Sequence, residues 1–387
     1  MSEIERTDVL LVGGGVASVR CARALRRNGF AGSILLVGAE PDPPYNRPPL
    51  SKELLRDDLP DELVMAEPAS WYARRGVDLR SGTNVVELDP DARVATLDGG
   101  SVIGFAQCLI ATGAEPRTLP IDGSEHAILL RTLPDARRLR AAAIVAGEGA
   151  PATVIGGGFI GVEVASALAS LGLRPTVVEM ADALWGGALG QSLAEWGAGR
   201  LEAAGVQLRL EAAVTRLDPQ SAWIGDERLA HELAVAGIGV VPRIDLARRA
   251  GLEVDDGIVT DREQRSSHPA VWAAGDVARF GSRRVEHWHS ARESGERAAL
   301  SMHGMPVPHP PAPWLFTEVA GIPLDVIGSA DSWDEERWVR EASVLAYLEG
   351  GRIVQIAVIG SALDPGSSRR LVEANASIRE LEAALDN

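Results

Sequence analysis

At 387 residues the chain exceeds one typical domain, so two or three compact units are expected. Hydrophobic residues at 46% and charged residues at 24% describe an ordinary globular protein. A formal charge of -16 argues against a nucleic-acid binder, because an acidic surface repels phosphates, and a docking site for an acidic partner would have to be a local arginine cluster.

The chain opens MSEIERTDVLLVGGG, a short polar lead into a strand. It lacks the basic, apolar and small-residue regions of a signal peptide, and no apolar run reaches the roughly 18 residues of a spanning helix, so the cytoplasm is the expected location. Residues 8–12 form an apolar run ending in Gly13-Gly14-Gly15. A helical pattern follows, with Val19, Ala22, Ala24 and Leu25 apolar and Arg20, Arg23, Arg26 and Arg27 polar, and then a second apolar run at 34–37. Strand, glycine turn, helix and strand make a βαβ unit. Residues 77–79, 94–97 and 108–111 read as added strands. The βαβ pattern recurs over 152–178, where ATVIGGGFIGVEVASALASLG leads into PTVVE. Each unit can nucleate its own parallel sheet, so two dinucleotide-binding domains are expected.

Residues 206–240 alternate strand-like runs with turns, VWAAGDV (271–277) is a strand with a Gly-Asp turn, and a helix is expected from about Ser290 to Met302. The stretch 305–314 holds five prolines and reads as a linker. Beyond it a small domain is expected, with strands at 325–327, 344–347 and 353–359 and a final helix. Cys21 and Cys108 sit in apolar contexts outside any CxxC pair and read as buried core thiols. A redox enzyme without a dithiol cannot relay electrons through its own disulfide.

The glycine turns carry the chemistry. A dinucleotide site needs glycines where the backbone turns tightly and approaches a pyrophosphate at a helix N-terminus, and an acid about 20 residues on to accept the ribose hydroxyls. The second turn has the full GxGxxG set in Gly156, Gly158 and Gly161, with Glu179 as its acid. The first has Gly13 and Gly15, with Ser18 at the third position and Glu40, slightly late, as its acid. A carboxylate at Glu179 repels a 2′-phosphate, which favours NADH over NADPH.

The stretch PPYNRPPLSKELL (43–55) resembles a signature of the NADH:ferredoxin reductases of oxygenase and cytochrome P450 systems, relatives of putidaredoxin reductase, rubredoxin reductase and apoptosis-inducing factor. The resemblance continues through ATGAEPR (111–117), GGGFIGVEVA (156–165), AGIGVVPR (236–243), AAGDVARF (273–280) and VEHWHSA (285–291). It implies an α/β fold of two Rossmann-like, glutathione-reductase-type domains that bind FAD and NAD, plus a small α+β C-terminal interface domain. The implied boundaries are 1–118 and 243–304 for the FAD domain, 119–242 for the NAD domain and 305–387 for the interface domain. The implied activity is an FAD-dependent oxidoreductase that moves hydride from NADH to FAD and then single electrons to a small iron–sulfur protein, a ferredoxin or a rubredoxin. Monomer and homodimer both remain open.

By the same resemblance, Lys52 lies beside the flavin ring, paired to Glu163, where a cation stabilises the charge that arrives with hydride. Solvated charges on a loop and a helix are the plainer reading of that pair. Arg47, Arg131, Thr112, Gly113 and Asp276 match FAD contacts, as do Val16, Ala17, Val85 and Ala111. His287 and Trp288 fall where relatives touch the ring, with His287 a candidate proton donor. Phe159 matches an aromatic that covers the flavin face, although on sequence alone it reads as a packing residue. Ile160, Ile238 and Gly239 match nicotinamide-nucleotide contacts. Two departures stand out. Phe316 replaces the second Trp of a Pro-Trp-Phe-Trp-type run, and WGGALG (185–190) stands where relatives tend to carry an Arg that helps hold NAD.

Three alternatives remain at this stage. A thiol-based peroxidase or CoA-disulfide reductase needs a redox Cys where this chain has Leu50-Ser51-Lys52. A signalling flavoprotein resembling apoptosis-inducing factor would bind NADH without reducing a carrier. A reductase of a small acceptor such as a quinone is the third. Partner docking is expected near the Arg-bearing segments 279–284 and 369–370, where solvated surface charge explains the arginines equally well.

Overall fold

The computed structural model describes residues 4–57, 59–281, 283–340 and 343–386. The chain divides into two compact units, one of residues 1–46, 60–115 and 241–310, the other of 47–59, 116–240 and 311–387.

In the first unit the strand Glu5–Val12 lies between Ile34–Val37 and Val102–Ile110, parallel to both, and Val77–Arg80 extends the sheet beyond Ile34–Val37. Val271–Ala273 joins the far end of Val102–Ile110, also parallel. All four residues of Ile34–Val37 are buried, as expected of an inner parallel strand covered on both faces. Val85–Asp89 and Val94–Leu97 finish the edge as an antiparallel pair.

The helix Val16–Arg27 buries Val19, Ala22 and Leu25. Its Arg26 donates to the carbonyls of Phe30, Gly32, Arg75 and Gly76, each at 2.7 Å, and so ties the helix end to two loops. The helix Trp288–Met302 packs against it at Gly295, where a Cβ would lie 2.2 Å from the Ala17 carbonyl oxygen. This helix begins two residues before the expected Ser290, because His287 takes the extended N-cap conformation (φ -108°, ψ 141°).

The second unit holds a parallel sheet in the order Gln207–Arg209, Arg174–Val178, Pro151–Ile155, Leu233–Ala236, Ala127–Leu129. The helix Phe159–Ser170 is buried continuously from Gly161 to Leu168. The helix Leu133–Ala146 opens on a capping box between Thr132 and Asp135, and it anchors the segment 47–59. Arg140 donates to the carbonyls of Leu55 and Arg56 at 2.8 and 2.9 Å, and Arg137 to that of Leu59 at 2.5 Å, which satisfies carbonyls at the end of the short helix Glu53–Asp57.

The same unit carries a five-stranded antiparallel sheet in the order Trp314–Val319, Ile322–Gly328, Arg352–Ile359, Val344–Glu349, Glu335–Arg340, followed by helices Pro365–Glu373 and Ile378–Leu385. The strands expected at 325–327, 344–347 and 353–359 lie inside longer ones, and two helices stand where one was expected. The strand Trp314–Val319 corrects the linker reading at its last residue. Residues 305–313 have no regular element, but Trp314 pairs with Ile327 and starts an edge strand. Among the described residues no helix is long and apolar enough to cross a membrane.

Candidate functional site

In the first unit the turn after Glu5–Val12 is fixed by backbone. Gly13 donates to the Val37 carbonyl at 2.8 Å with φ +116°, and a Cβ there would lie 2.2 Å from the Ala111 oxygen. Only glycine fits. Gly15 is different: a Cβ built there meets nothing within 4 Å, so this glycine leaves open space at the N-cap of the helix Val16–Arg27. Ser18, at the third position, is fully buried, with its hydroxyl unpartnered among the described residues. Ala17 is buried beside it and Val16 is half-buried. The half-buried Glu40 accepts the Tyr45 hydroxyl.

Ala111 donates to the Val12 carbonyl at 2.8 Å, and Thr112 Oγ1 to the Arg243 carbonyl at 2.8 Å. Gly113 turns with φ +70° and accepts from Arg243 N at 2.9 Å. Val85 is a core side chain, 5% exposed. Asp276 sits in a 3₁₀ turn held by a bond from Gly275 N to Ser294 Oγ, and its carbonyl accepts Arg284 Nη1 at 3.1 Å.

Trp288 Nε1 donates to Asn46 Oδ1 at 3.1 Å, and the Arg292 guanidinium lies 4.4 Å over its ring. His287 Nδ1 is sealed from solvent without a hydrogen-bond partner among the described residues. Burial lowers the His287 pKa to about 4, with Asp276 pulling weakly the other way. Burial therefore favours the neutral ring over the imidazolium.

The second unit repeats the turn more tightly. Gly156 donates to the Val178 carbonyl at 2.8 Å with φ +102°, and its Cβ would lie 2.5 Å from the Gly237 oxygen. A Cβ at Gly161 would lie 1.9 Å from the Gly156 oxygen. Gly158, like Gly15, is open: its nearest atom is 3.9 Å away. Glu179 follows the strand Arg174–Val178 directly and accepts from Gly157 N at 2.6 Å and Ala181 N at 2.8 Å. Ile160 is exposed, Ile238 packs at the edge of the core, and Gly239 (φ +92°) accepts from Arg117 N at 3.0 Å.

Phe159 is half-buried, with its ring centroid 6.2 Å from that of Trp185. Trp185 holds a left-handed backbone (φ 57°) and donates its N–H to the Gly157 carbonyl at 2.9 Å. Its indole fills the space left by Gly197, where a Cβ would come within 2.6 Å of the ring. An aromatic locked to the glycine turn thus stands in the WGGALG segment.

Lys52 and Glu163, 6% and 4% exposed, form an ion pair at 2.7 Å, which excludes the reading of two solvated charges. Lys52 Nζ also donates to the Pro48 carbonyl at 3.2 Å and lies 5.5 Å from the Phe316 ring centroid. Arg47 Nη1 donates to the Arg131 carbonyl at 2.5 Å. Ser51 and Thr317, which sequence reasoning passed over, both donate to Glu163. No motif marks them, because their partner lies 112 and 154 positions away.

The arginines expected at a docking rim are largely engaged. Arg279 pairs with Asp255, and Arg284, its side chain 5% exposed, pairs with Asp256 and Glu286; Ser282 between them lies outside the described residues. Arg369 donates to the Ala312 carbonyl, and the exposed Arg370 to Ser367 Oγ. Cys21 and Cys108 are fully buried, and burial pushes both thiols up. Among the described residues no group of three or more His, Cys, Asp or Glu could hold a metal.

Residues 7–295 match the family model described as pyridine nucleotide-disulphide oxidoreductase. The chain belongs to this family. Among similar pyridine nucleotide-disulphide oxidoreductases, the ferredoxin reductase component of a chlorobenzene dioxygenase from a Cupriavidus species is 35% identical, over 98% of this chain and 95% of that one. A rubredoxin-NAD(+) reductase from Pseudomonas putida is 32% identical over 88% and 93%. The crystal structure of the covalent putidaredoxin reductase–putidaredoxin complex matches with a TM-score of 0.91 and 27% identity, covering 98% and 99%. The two open glycines fit what such a family member must hold. Each removes a Cβ that no protein atom would have obstructed, which leaves the backbone clear for a pyrophosphate.

Proposed function

We propose that this protein is an FAD-dependent NADH:ferredoxin reductase, passing electrons from NADH to a small iron–sulfur carrier, a ferredoxin or rubredoxin, that feeds an oxygenase or cytochrome P450. The observation that carries the reading is the pair of glycine turns with clear ligand-side space at Gly15 and Gly158, in a chain whose only thiols are sealed in its core. Two nucleotides can be bound, and no dithiol can take electrons between them.

Residues 1–118 and 243–304 make the FAD domain, 119–242 the NAD domain and 305–387 the interface domain, and the protein works in the cytoplasm. Gly13, Gly15 and Glu40 hold the FAD pyrophosphate and ribose, with Thr112, Gly113 and Asp276 around the rest of the molecule. Gly156, Gly158, Gly161 and Glu179 do the same for NADH, and Glu179 disfavours a 2′-phosphate. Bound FAD supplies the chemistry that accepts a hydride and releases electrons singly, which no side chain here provides. Lys52 presents a positive charge where negative charge develops, and Glu163 orients it.

Purification and side-by-side assay test the reading. The protein is expected to be yellow, to be reduced by NADH far faster than by NADPH, and to reduce a ferredoxin or rubredoxin. A colourless protein that takes up no FAD, or turnover with quinones and none with iron–sulfur carriers, would overturn it.

A further inference from the structure

Glu163 accepts more than an ion pair requires. Lys52 Nζ at 2.7 Å and Thr317 Oγ1 at 2.6 Å both reach Oε1, while Ser51 Oγ reaches Oε2. Ser51 and Thr317 are 2% and 3% exposed, so neither hydroxyl has water as an alternative partner. Ser51 ends the 3₁₀ turn Pro48–Ser51, and Thr317 lies on the edge strand Trp314–Val319.

A carboxylate paired only to a lysine is poorly placed. Its terminal torsion is broad, and an ammonium on a four-carbon stem is a mobile point charge. A donor on Oε2 together with a second on Oε1 stops that rotation and presents one oxygen to Lys52. The edge strand is itself held by bonds that do not involve Thr317. Ala320 N donates to Ser166 Oγ at 3.0 Å, one turn beyond Glu163, and Arg56 pairs with Glu318. Removing the Thr317 hydroxyl therefore leaves the strand docked.

We propose that Thr317 and Ser51 are positioning residues for hydride transfer, fixing both oxygens of Glu163 so that Lys52 is held in one place. The proposal rests on the reading above, in which Lys52 acts beside FAD. It assigns a part in the reaction to the C-terminal sheet through the first hydroxyl on its edge strand.

The test uses FAD-loaded protein and anaerobic stopped-flow reduction by NADH, with NADH varied to separate the limiting rate from binding. Thr317→Val keeps the shape and removes the hydroxyl, and it is expected to lower the limiting rate about tenfold while apparent NADH affinity stays within about twofold. Thr317→Ser, which restores the hydroxyl, is expected to recover the rate to within about twofold of the parent. Ser51→Ala supplies an independent arm, with a loss of about threefold expected. In a Glu163→Gln background Thr317→Val should add little, because the carboxylate it positions is gone.

An unchanged limiting rate in Thr317→Val and Ser51→Ala overturns the proposal, as does failure of Thr317→Ser to rescue, or full additivity with Glu163→Gln. These results differ from failure of the functional reading, in which the parent protein itself is not reduced by NADH.

Discussion

The two glycine turns follow one plan with different tolerances. At the second, a Cβ on Gly161 would sit 1.9 Å from a backbone oxygen, whereas the matching position of the first holds a serine, fully buried and accommodated. The acids differ in the same sense. Glu179 comes directly off its strand and accepts one backbone N–H of the glycine turn, Gly157, and one just beyond itself, Ala181, while Glu40 lies three residues past Val37 and is held by the Tyr45 hydroxyl. The second turn is thus a closed piece of backbone geometry, in which loop and acid fix each other. The first is equally fixed by backbone at Gly13, but its acid is held by a side chain and its third position leaves more latitude.

Six substitutions break or sharpen this contrast. Gly161→Ala forces the second turn open and is expected to destabilise by about 3 kcal/mol, read as a fall in melting temperature with loss of NADH binding. A variant that melts like the parent would show the second turn to be as lenient as the first. Gly15→Ala and Gly158→Ala probe the open positions, where a methyl group meets no described protein atom closer than 3.9 Å. Stability should stay within about 0.5 kcal/mol of the parent. The affinity for FAD in the first case and NADH in the second should nevertheless drop on the order of a hundredfold, measured by fluorescence titration. Equal losses of stability and affinity would mean that these glycines serve folding alone.

Glu179→Gln keeps one acceptor oxygen for two N–H donors. A roughly tenfold weaker grip on NADH and a narrower preference over NADPH are expected, with a smaller effect on FAD from Glu40→Gln. Parallel titrations decide whether the acids differ as their bonding says. Ser18→Ala is the smallest change and has the opposite sign to Gly161→Ala. It removes a buried hydroxyl that has no partner among the described residues, so stability should be unchanged or rise by up to about 1 kcal/mol in denaturant unfolding. A clear loss would reveal a role for that hydroxyl.

Sequence reading goes furthest where the physics is local. Gly13 and Gly156 are legible because a tight turn between a buried strand and a helix makes demands only on nearby backbone, and Glu179 because strand length fixes where the acid emerges. The helix at Trp288 is misplaced by two residues since its start depends on the φ of His287, which no apolar period reports. The edge strand Trp314–Val319 hides behind five prolines, and its pairing with Ile322–Gly328 is what makes it a strand. Ser51 and Thr317 are out of reach for a further reason. A hydroxyl acquires meaning only from the carboxylate it meets, and that carboxylate is supplied by a distant helix. The pairing of Lys52 with Glu163 came from a family likeness, and spacing alone offers no route to it.

Each compact unit is sewn from separate lengths of chain, and this has a consequence for biosynthesis. The first sheet lacks Val271–Ala273, and its outer helix, until more than two thirds of the protein has emerged from the ribosome. The second lacks its antiparallel sheet until the strands from Trp314 to Ile359 have followed, and the helix that buries Leu381 comes later still. Neither half can mature as a finished domain early in translation and wait for the other. Newly made chains hold the first sheet incomplete until Val271–Ala273 arrives, while the parallel sheet of the second unit, whose strands all lie between Ala127 and Ala236, can form earlier.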